Sequence, residues 1–423
     1  MLAALGCGGR RSRAWAALAG LTVRSARIPL VLVVEVAFWI CVGLIVWTQL
    51  GYAVALAALV RVLPRRDPVP QVPAGAATLP QLSLIVAAHD EESVIAARVA
   101  NALALEYPRE RLQVIVACDG CTDATATLAR DAGADLVLEL ARAGKVRAQD
   151  AAVQRASGEI VAFSDANALW RADAARELVR AFSDPRVGYA CGQVRYADGD
   201  AGTDDNQEGL YWRYELALRA FESRLSSVTG GNGAIYATRR DSYIVVDAVM
   251  GHDLSLPFNV VKRGQRAVYV PTALSSEKMV PSLGGEFARK RRMASHTWPI
   301  VLRGGMLSPR GYPPGYALMI LSHRLLRYAT PLLHVLALGL NVALVVGDWG
   351  PAHPAHPIRV LYVVTLGLQL ALLLGAWLAG RIRWRGLLVA RYYVLTTASL
   401  AAGLGDWLRH GTEATWEAAE GTR

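Results

Sequence analysis

An α/β domain with a mostly parallel central sheet, flanked by about four membrane-crossing helices, is predicted by three observations. Between residues 82 and 163 short apolar runs alternate with helical periodicities in β-α-β-α-β-α-β order. Acidic clusters follow the first, second and fourth of those runs. The apolar excess of the 423-residue chain, 53% hydrophobic at a mean hydropathy of +0.27, is gathered at its two ends.

Residues 1–27 carry Arg10, Arg11, Arg13, Arg24 and Arg27 among Ala, Gly and Leu. Ile28 to Val60 then holds one acid, Glu35, and no Lys or Arg. It is too long for a signal-peptide core and exceeds the roughly 30 Å of a bilayer interior, so it reads as a transmembrane helix. A linker over 61–80, rich in Pro, follows.

Strands are expected at Leu82–Ala88, Leu112–Cys118, Ala134–Leu140, Glu159–Phe163 and Val187–Tyr196. Helices are expected at Ser93–Leu105, Asp123–Ala132, Lys145–Ala156, from Asp173 to Val179, and at Glu208–Ser223. Asp198 to Glu208 reads as an exposed loop. The α/β domain is bounded at 81–281. An amphipathic basic segment over 282–325 suits a bilayer surface or an ordinary solvated face. Three apolar segments, about 326–347, 358–380 and 386–408, fill the region 326–408, and a polar tail over 409–423 ends the chain.

Gly347 to Pro357 lacks Lys and Arg, whereas Arg381, Arg383 and Arg385 crowd the next connection. The positive-inside rule places 381–385, and by counting back the α/β domain, in the cytoplasm. The arginines of 10–27 disagree with that count. The net charge of +10 fits juxtamembrane basic residues, and no nucleic-acid motif accompanies it. The five cysteines, Cys7, Cys41, Cys118, Cys121 and Cys191, form no disulfide framework, and the CxxC of Cys118 and Cys121 lacks the second ligand pair of a zinc site.

The first strand ends in Ala88-His-Asp-Glu-Glu92, the second in Cys118-Asp-Gly-Cys-Thr-Asp123, the fourth in Ser164-Asp-Ala-Asn167. Each alone is equally a helix cap or first-turn acid. Three at the same edge of a parallel sheet mark the edge where such sheets bind ligands. Asp165 with Asn167 two residues on offers hard oxygen donors to a divalent cation whose shell a phosphate completes.

These motifs resemble, in order, those of family-2 glycosyltransferases with the GT-A fold, near the membrane-bound polysaccharide synthases. His89-Asp-Glu-Glu92 is similar to the opening Asn-Glu-Glu motif, and Val116 to Thr125 to the Asp-Gly-Ser-Thr-Asp-Gly-Thr signature. Gly144-Lys145 with Asp150 resembles the Gly-Lys…Asn segment, and Asp165-Ala-Asn167 stands at the Asp-x-Asp metal motif. Gly230 to Arg240 resembles the acceptor-side loop and following strand, and Gly251-His-Asp253 stands where the family has paired acids. The chain departs at Cys118, Asn167 and His252, which replace acids, and it lacks Gln-x-x-Arg-Trp, carrying Arg289-Lys-Arg-Arg292 instead.

The resemblance implies inverting transfer of a sugar from a nucleotide-sugar donor, a UDP-sugar, to a hydroxyl acceptor. Asp253 would be the catalytic base, or alternatively the N-cap of a helix over Leu254–Val261. Glu91, Asp119, Lys145, Asp165, Arg289 and Arg292 would bind donor. Gly231, Asn232, Gly233 and His252 would meet the acceptor. Asp165 and Asn167 would hold Mg2+ or Mn2+. The expected partners are a carbohydrate or lipid-linked acceptor, the bilayer, and an oligomeric or export partner; nucleic acid is not among them. The expected setting is a bacterial-type inner membrane, multi-pass, with the catalytic domain cytoplasmic. A polyprenyl-phosphate glycosyltransferase, a processive secreting synthase and a catalytically inactive membrane scaffold are the rivals.

Overall fold

A computed structural model describes residues 30–64, 79–197, 207–278, 283–347, 356–382 and 384–414. The basic segment 1–27, most of the linker 61–80, the loop 198–206 and the tail beyond 414 lie outside the described residues. The chain forms two compact units, residues 1–42 with 335–370 and residues 43–334 with 371–423.

In the second unit, among the described residues, eight strands form one mixed sheet. They are β1 (Leu82–Ala88), β2 (Leu112–Asp119), β3 (Leu136–Leu140), β4 (Ile160–Asp165), β5 (Leu169–Trp170), β6 (Val187–Ala197), β7 (Tyr236–Arg239) and β8 (Arg266–Lys278), in the order β3-β2-β1-β4-β7-β6-β8-β5. The first four are parallel, and β7 enters antiparallel between β4 and β6. Every residue of β1 is buried, as a strand covered on both faces requires. The helices that cover the sheet are α2 (Ile95–Leu103), α3 (Thr125–Asp131), α4 (Lys145–Arg155) and α5 (Ala174–Arg180). Register pairs Ala88 with Cys118, Ala87 with Asp165 and Asp119 with Leu140, so the acids after β1, β2 and β4 emerge at one edge.

An aromatic layer lies beneath that edge. Phe163 stacks on Tyr236, its register partner, at 4.7 Å between centroids, and Tyr189 stacks on the other side of Tyr236 at 5.8 Å. The second unit also holds α6 (Gln207–Leu225), α7 (His252–Lys262) and α8 (Leu283–Leu302).

Four helices among the described residues are long and apolar enough to cross a membrane. They are α1 (Leu30–Val62), α9 (Pro314–Val346), the part Arg359–Leu378 of α10 (His356–Leu378), and α11 (Arg385–His410). The first of the three C-terminal ones begins at Pro314, twelve residues ahead of the expected 326. Two π turns interrupt the spans, Trp47–Gly51 in α1 and Ile320–Leu325 in α9. Wide turns leave backbone groups to be satisfied by neighbours. Thr48 Oγ1 donates to the Ser322 carbonyl at 2.9 Å, and Trp47 Nε1 to Ser322 Oγ at 3.0 Å.

In the first unit, Trp39 Nε1 donates to Tyr362 Oη at 3.4 Å, and the Asn341 amide meets Thr365 and Gln369, each at 3.0 Å.

Candidate active site

The sheet edge is closed by its own loops. Asp119 is buried, and its carboxylate accepts from the backbone N–H groups of Ala143 (2.6 Å) and Gly144 (3.0 Å). Gly144 has φ +98° and a Cβ there would meet the Ala414 carbonyl, so glycine is required twice over. Lys145, next in line, opens α4 and reaches Asp165 at the end of β4 as an ion pair. Burial works to lower the Lys145 ammonium, but Asp165, with Asp253 and Glu277 beyond it, holds it above its ordinary value.

Behind Asp165 lies Arg98, fully buried, with Nε donating to Ser164 Oγ at 3.1 Å and its guanidinium over Trp170. Burial pulls Arg98 down to about 9, with Asp165 opposing. Glu277 reaches the same place from β8. The register Leu169↔Ser276 carries it to the turn after Asp165. Burial and Asp165 push it up to about 7, while Lys145 and Arg289 pull the other way.

The opening motif divides its labour. Glu91 is buried, with its backbone N–H donating to Thr125 Oγ1 at 2.7 Å. Glu92 accepts from the Ala124 N–H at 3.1 Å while Asp123 accepts from the Glu92 N–H at 3.1 Å, which locks the first loop to the second. His89 Nδ1 lies 2.7 Å from the Asp119 carbonyl oxygen and 3.0 Å from Arg142 Nη1. His89, Asp90 and Cys121 bring their ligand atoms within 4.8 Å of one another. Hydrogen bonding with Cys118 lowers the Cys121 thiol and raises that of Cys118.

The loop 230–233 forms the opposite wall. The Gly231 N–H donates to the Asp253 carbonyl at 2.7 Å, and its carbonyl accepts from Arg219 Nη2 at 2.7 Å. Asn232 is consumed in shaping the loop: Nδ2 donates to the Gly192 carbonyl at 2.7 Å and Oδ1 accepts from the Ile235 N–H at 2.9 Å. A Cβ on Gly233 would lie 3.4 Å from Lys145 Nζ and 3.6 Å from Asp165 Oδ2, so this glycine leaves a gap over the ion pair.

Asp253 is half-buried in the first turn of α7, whose N-cap is Gly251, with no side-chain cap bond. The helix begins at His252, earlier than the expected 254, and Asp253 does not cap it. His252 is buried beneath the site. Tyr243 Oη donates to Asp150 Oδ1 at 2.7 Å, so its oxygen accepts from His252 Nε2–H at 3.2 Å. His252 Nδ1 then accepts from Tyr236 Oη at 3.2 Å. Burial, reinforced by Lys145, drops this imidazole to about 3 and keeps it neutral.

The basic run of α8 is divided among different neighbours. Lys290 bonds Tyr392 Oη at 2.5 Å and Arg291 pairs with Asp406 at 2.5 Å, both on α11. Glu277 lies in the field of Arg289, and His296 in that of Arg292. Thus Asp119, Lys145, Asp165, Gly231, Gly233 and Asp253 gather at one edge, with Arg289 reaching it through Glu277. Glu91, Asn232 and His252 support that edge from within. Arg98, Arg219 and Glu277 escaped sequence reading; the buried helix face of Arg219 was their only local signal.

A divalent cation fits the donors present. Asp165 and Asn167 offer hard oxygens, and the gap over Gly233 is a cradle that one added carbon would fill.

Residues 83–244 match the model of glycosyl transferase family 2. An N-acetylglucosaminyltransferase of Rhizobium sp. (strain N33) is 25% identical over 249 residues, covering 54% of this chain and 55% of that protein. A beta-monoglucosyldiacylglycerol synthase of Synechocystis sp. is 30% identical over 225 residues, covering 48% of this chain and 43% of that protein. The chain thus spans about half the length of the curated relatives it matches. A mannosyltransferase from Pyrobaculum calidifontis, solved with GDP-Man and Mn2+, shares the fold at a TM-score of 0.66 and 22% identity, over 89% of this chain and 99% of that one.

Proposed function

We propose, from the premise that residues 83–244 form a glycosyl transferase family 2 domain of GT-A fold, that the protein transfers a sugar from a nucleotide-sugar donor, a UDP-sugar, to a hydroxyl acceptor with inversion at the anomeric carbon. The product is a cell-surface polysaccharide or glycolipid. One observation carries this reading: the Lys145–Asp165 pair, the Gly231–Gly233 loop and Asp253 converge on one sheet edge.

Asp253 takes the proton of the acceptor hydroxyl as its oxygen bonds the anomeric carbon and the bond to the diphosphate breaks on the opposite face. Lys145, Arg289 and Arg292 neutralise the departing nucleoside diphosphate. Glu91 and Asp119 hold the loops against which the nucleoside lies. Mg2+ or Mn2+ held by Asp165 and Asn167 would supply Lewis-acid stabilisation of the diphosphate. The Mn2+ named with the mannosyltransferase supports a divalent cation, the monoglucosyldiacylglycerol synthase supports a glycolipid product, and the N-acetylglucosaminyltransferase supports sugar transfer. Arginines between the last two spans support a cytoplasmic site in a bacterial-type inner membrane.

The test is hydrolysis of nucleotide sugars by purified full-length protein with and without Mn2+, followed by transfer to membrane lipid extracts. Metal-dependent release of nucleoside diphosphate is expected. No release and no donor binding with any nucleotide sugar would leave the inactive-scaffold reading in its place.

A further inference from the structure

The buried face of α6 carries Glu215, Arg219 and Glu222, all less than a tenth exposed. Against it stands the π turn of α9. His323 Nδ1 lies 2.6 Å from Glu222 Oε1 and Nε2 lies 3.3 Å from Glu215 Oε2. Arg327 pairs with Glu215, and Arg324 Nε donates to Thr229 Oγ1 at 3.0 Å. Tyr52 Oη of α1 donates to Glu222 Oε1 at 2.8 Å. Ionisable groups inside apolar spans are costly, and they persist where they serve a site.

The guanidinium groups outnumber the carboxylates that pair with them directly. Three guanidinium groups, Arg219, Arg324 and Arg327, face two carboxylates of the cluster, Glu215 and Glu222, and the third acid, Asp253, stands across the Gly231 backbone, with its charge acting on Tyr189. Donors are also left over. Among the described residues, Arg219 Nε and Nη1, Arg324 Nη2, Arg327 Nε and Nη2, and Tyr189 Oη are buried without an acceptor. Such groups are rare in folded proteins unless water, an ion or a ligand completes them.

These donors border the loop of the active site. A Cβ on Gly230 would lie 2.5 Å from Arg324 Nη2, and one on Gly231 would lie 2.0 Å from Tyr189 Oη. Gly233 of that loop overhangs Lys145 and Asp165. At roughly 3.8 Å per residue, Gly230 and Gly233 lie at most about 11 Å apart. On α9 itself, Leu318 and Leu321 next to this cluster are exposed and apolar.

We infer that Arg219, Arg324 and Tyr189 form a binding site for a phosphate group of the acceptor, a group carried into the membrane by a lipid. The inference rests on the glycosyltransferase reading above and names the acceptor class of that same site. Guanidinium forks match phosphate oxygens in number and geometry, and guanidinium donors left without acceptors favour an anion over a neutral headgroup. The exposed leucines of α9 provide the apolar surface along which a lipid chain runs. Asp253 lies beside Gly231, whose N–H its carbonyl receives, and there a hydroxyl of the phosphate-bearing acceptor meets the donor.

The experiment uses the full chain in phosphatidylcholine vesicles with a long-chain polyprenyl phosphate or the uncharged polyprenol at equal mole fraction. Binding is read as the rise in Tm. The phosphate lipid is expected to raise Tm and the alcohol to leave it unchanged. Arg324→Gln is expected to weaken the phosphate-lipid response at least tenfold in apparent Kd, and Arg324→Lys to recover part of it. If Arg324→Gln does not fold, Arg219→Lys, which keeps the charge and removes the fork, is expected to weaken the response. Equal response to both lipids, or unaltered affinity in the folded variants, overturns the inference. Inorganic phosphate that gives the full rise by itself identifies a free-anion site and overturns the lipid assignment. A wild-type protein that hydrolyses nucleotide sugar yet ignores the phosphate loses this inference alone; one that neither binds nor hydrolyses donor loses the reading beneath it.

Discussion

Lys145, at the start of α4, is ion-paired to Asp165, at the end of β4, so the acid that would face a cation is already neutralised by the chain. The pair lies beside Gly233, where an added Cβ would be in contact with both partners. In the proposed mechanism Asp165 would hold the cation and Lys145 would meet the donor phosphates, so donor binding would separate the two partners. Asp165→Ala is therefore expected to abolish turnover and metal-dependent donor binding. Asn167→Asp is expected to keep activity and tighten the metal, read as a lower Mn2+ concentration at half-maximal donor hydrolysis. A folded, inactive Asn167→Asp protein would place the cation elsewhere.

Gly233→Ala separates folding from binding. The new methyl would sit at ordinary contact distance from Lys145 and Asp165, so Tm is expected to stay within a degree or two of wild type. The same methyl occupies the space over the ion pair, and donor affinity is expected to fall by about tenfold or more, roughly 1.4 kcal/mol. Gly231→Ala is the contrast, since its Cβ would collide with Tyr189 Oη and lower Tm. Unchanged donor binding in a folded Gly233→Ala protein would remove the diphosphate from this gap.

The neutral His252 gives a pH signature. Its folded value is about 3, below the ordinary 6.5, so the unfolded chain takes up a proton below pH 6.5 that the folded chain refuses. Stability is therefore lost as pH falls from 6.5 towards 3, at up to about 1.4 kcal/mol per pH unit from this group. Asp150 acts in the opposite sense: burial raises it, against the pull of Tyr243 and Arg147, so on acidification the folded state takes up this proton before the unfolded one. The difference between wild type and His252→Gln isolates the imidazole. Denaturant unfolding of both from pH 7 to 4.5 is expected to show wild type losing stability relative to the variant. Parallel curves would mean that His252 titrates in the fold.

The parallel half of the sheet was legible because each strand is a short apolar run that stops at an acid, as Ile160–Phe163 stops at Ser164-Asp165. Strand β8 was not, because Pro271, Ser275 and Ser276 break its apolar pattern. Glu277, carried at its end, therefore carried no signal until pairing with β5 brought it to Asp165. The expected 326–347 segment coincides with the C-terminal part of α9, Leu326–Val346, and the helix runs back to Pro314 through a stretch where His323, Arg324 and Arg327 interrupt the apolar pattern. Their partners, Glu215 and Glu222 on α6, lie about a hundred residues away in sequence, and local hydropathy registers no such pairing. Asn232 and His252 were legible as members of a motif, yet their atoms are spent on backbone and tyrosine partners.

The sharpest prediction concerns Asp253. Sequence left it as either a base or a helix cap, and the cap is now assigned to Gly251, which carries no side-chain bond. What remains for the carboxylate is its place beside the loop, where the Asp253 carbonyl receives the Gly231 N–H. Asp253→Asn keeps shape and reach but cannot take a proton from the acceptor. Donor affinity is expected to be nearly unchanged while transfer falls by about two to four orders of magnitude, the usual share of a general base. Tm is expected to hold, because no cap bond is removed. If the attacking atom is instead an oxygen of a lipid phosphate, already anionic, the loss is expected to be far milder. Donor binding and transfer assayed separately on this one variant distinguish the two attacking groups, and near-normal transfer would remove Asp253 from the role of base while leaving the phosphate site of Arg324 intact.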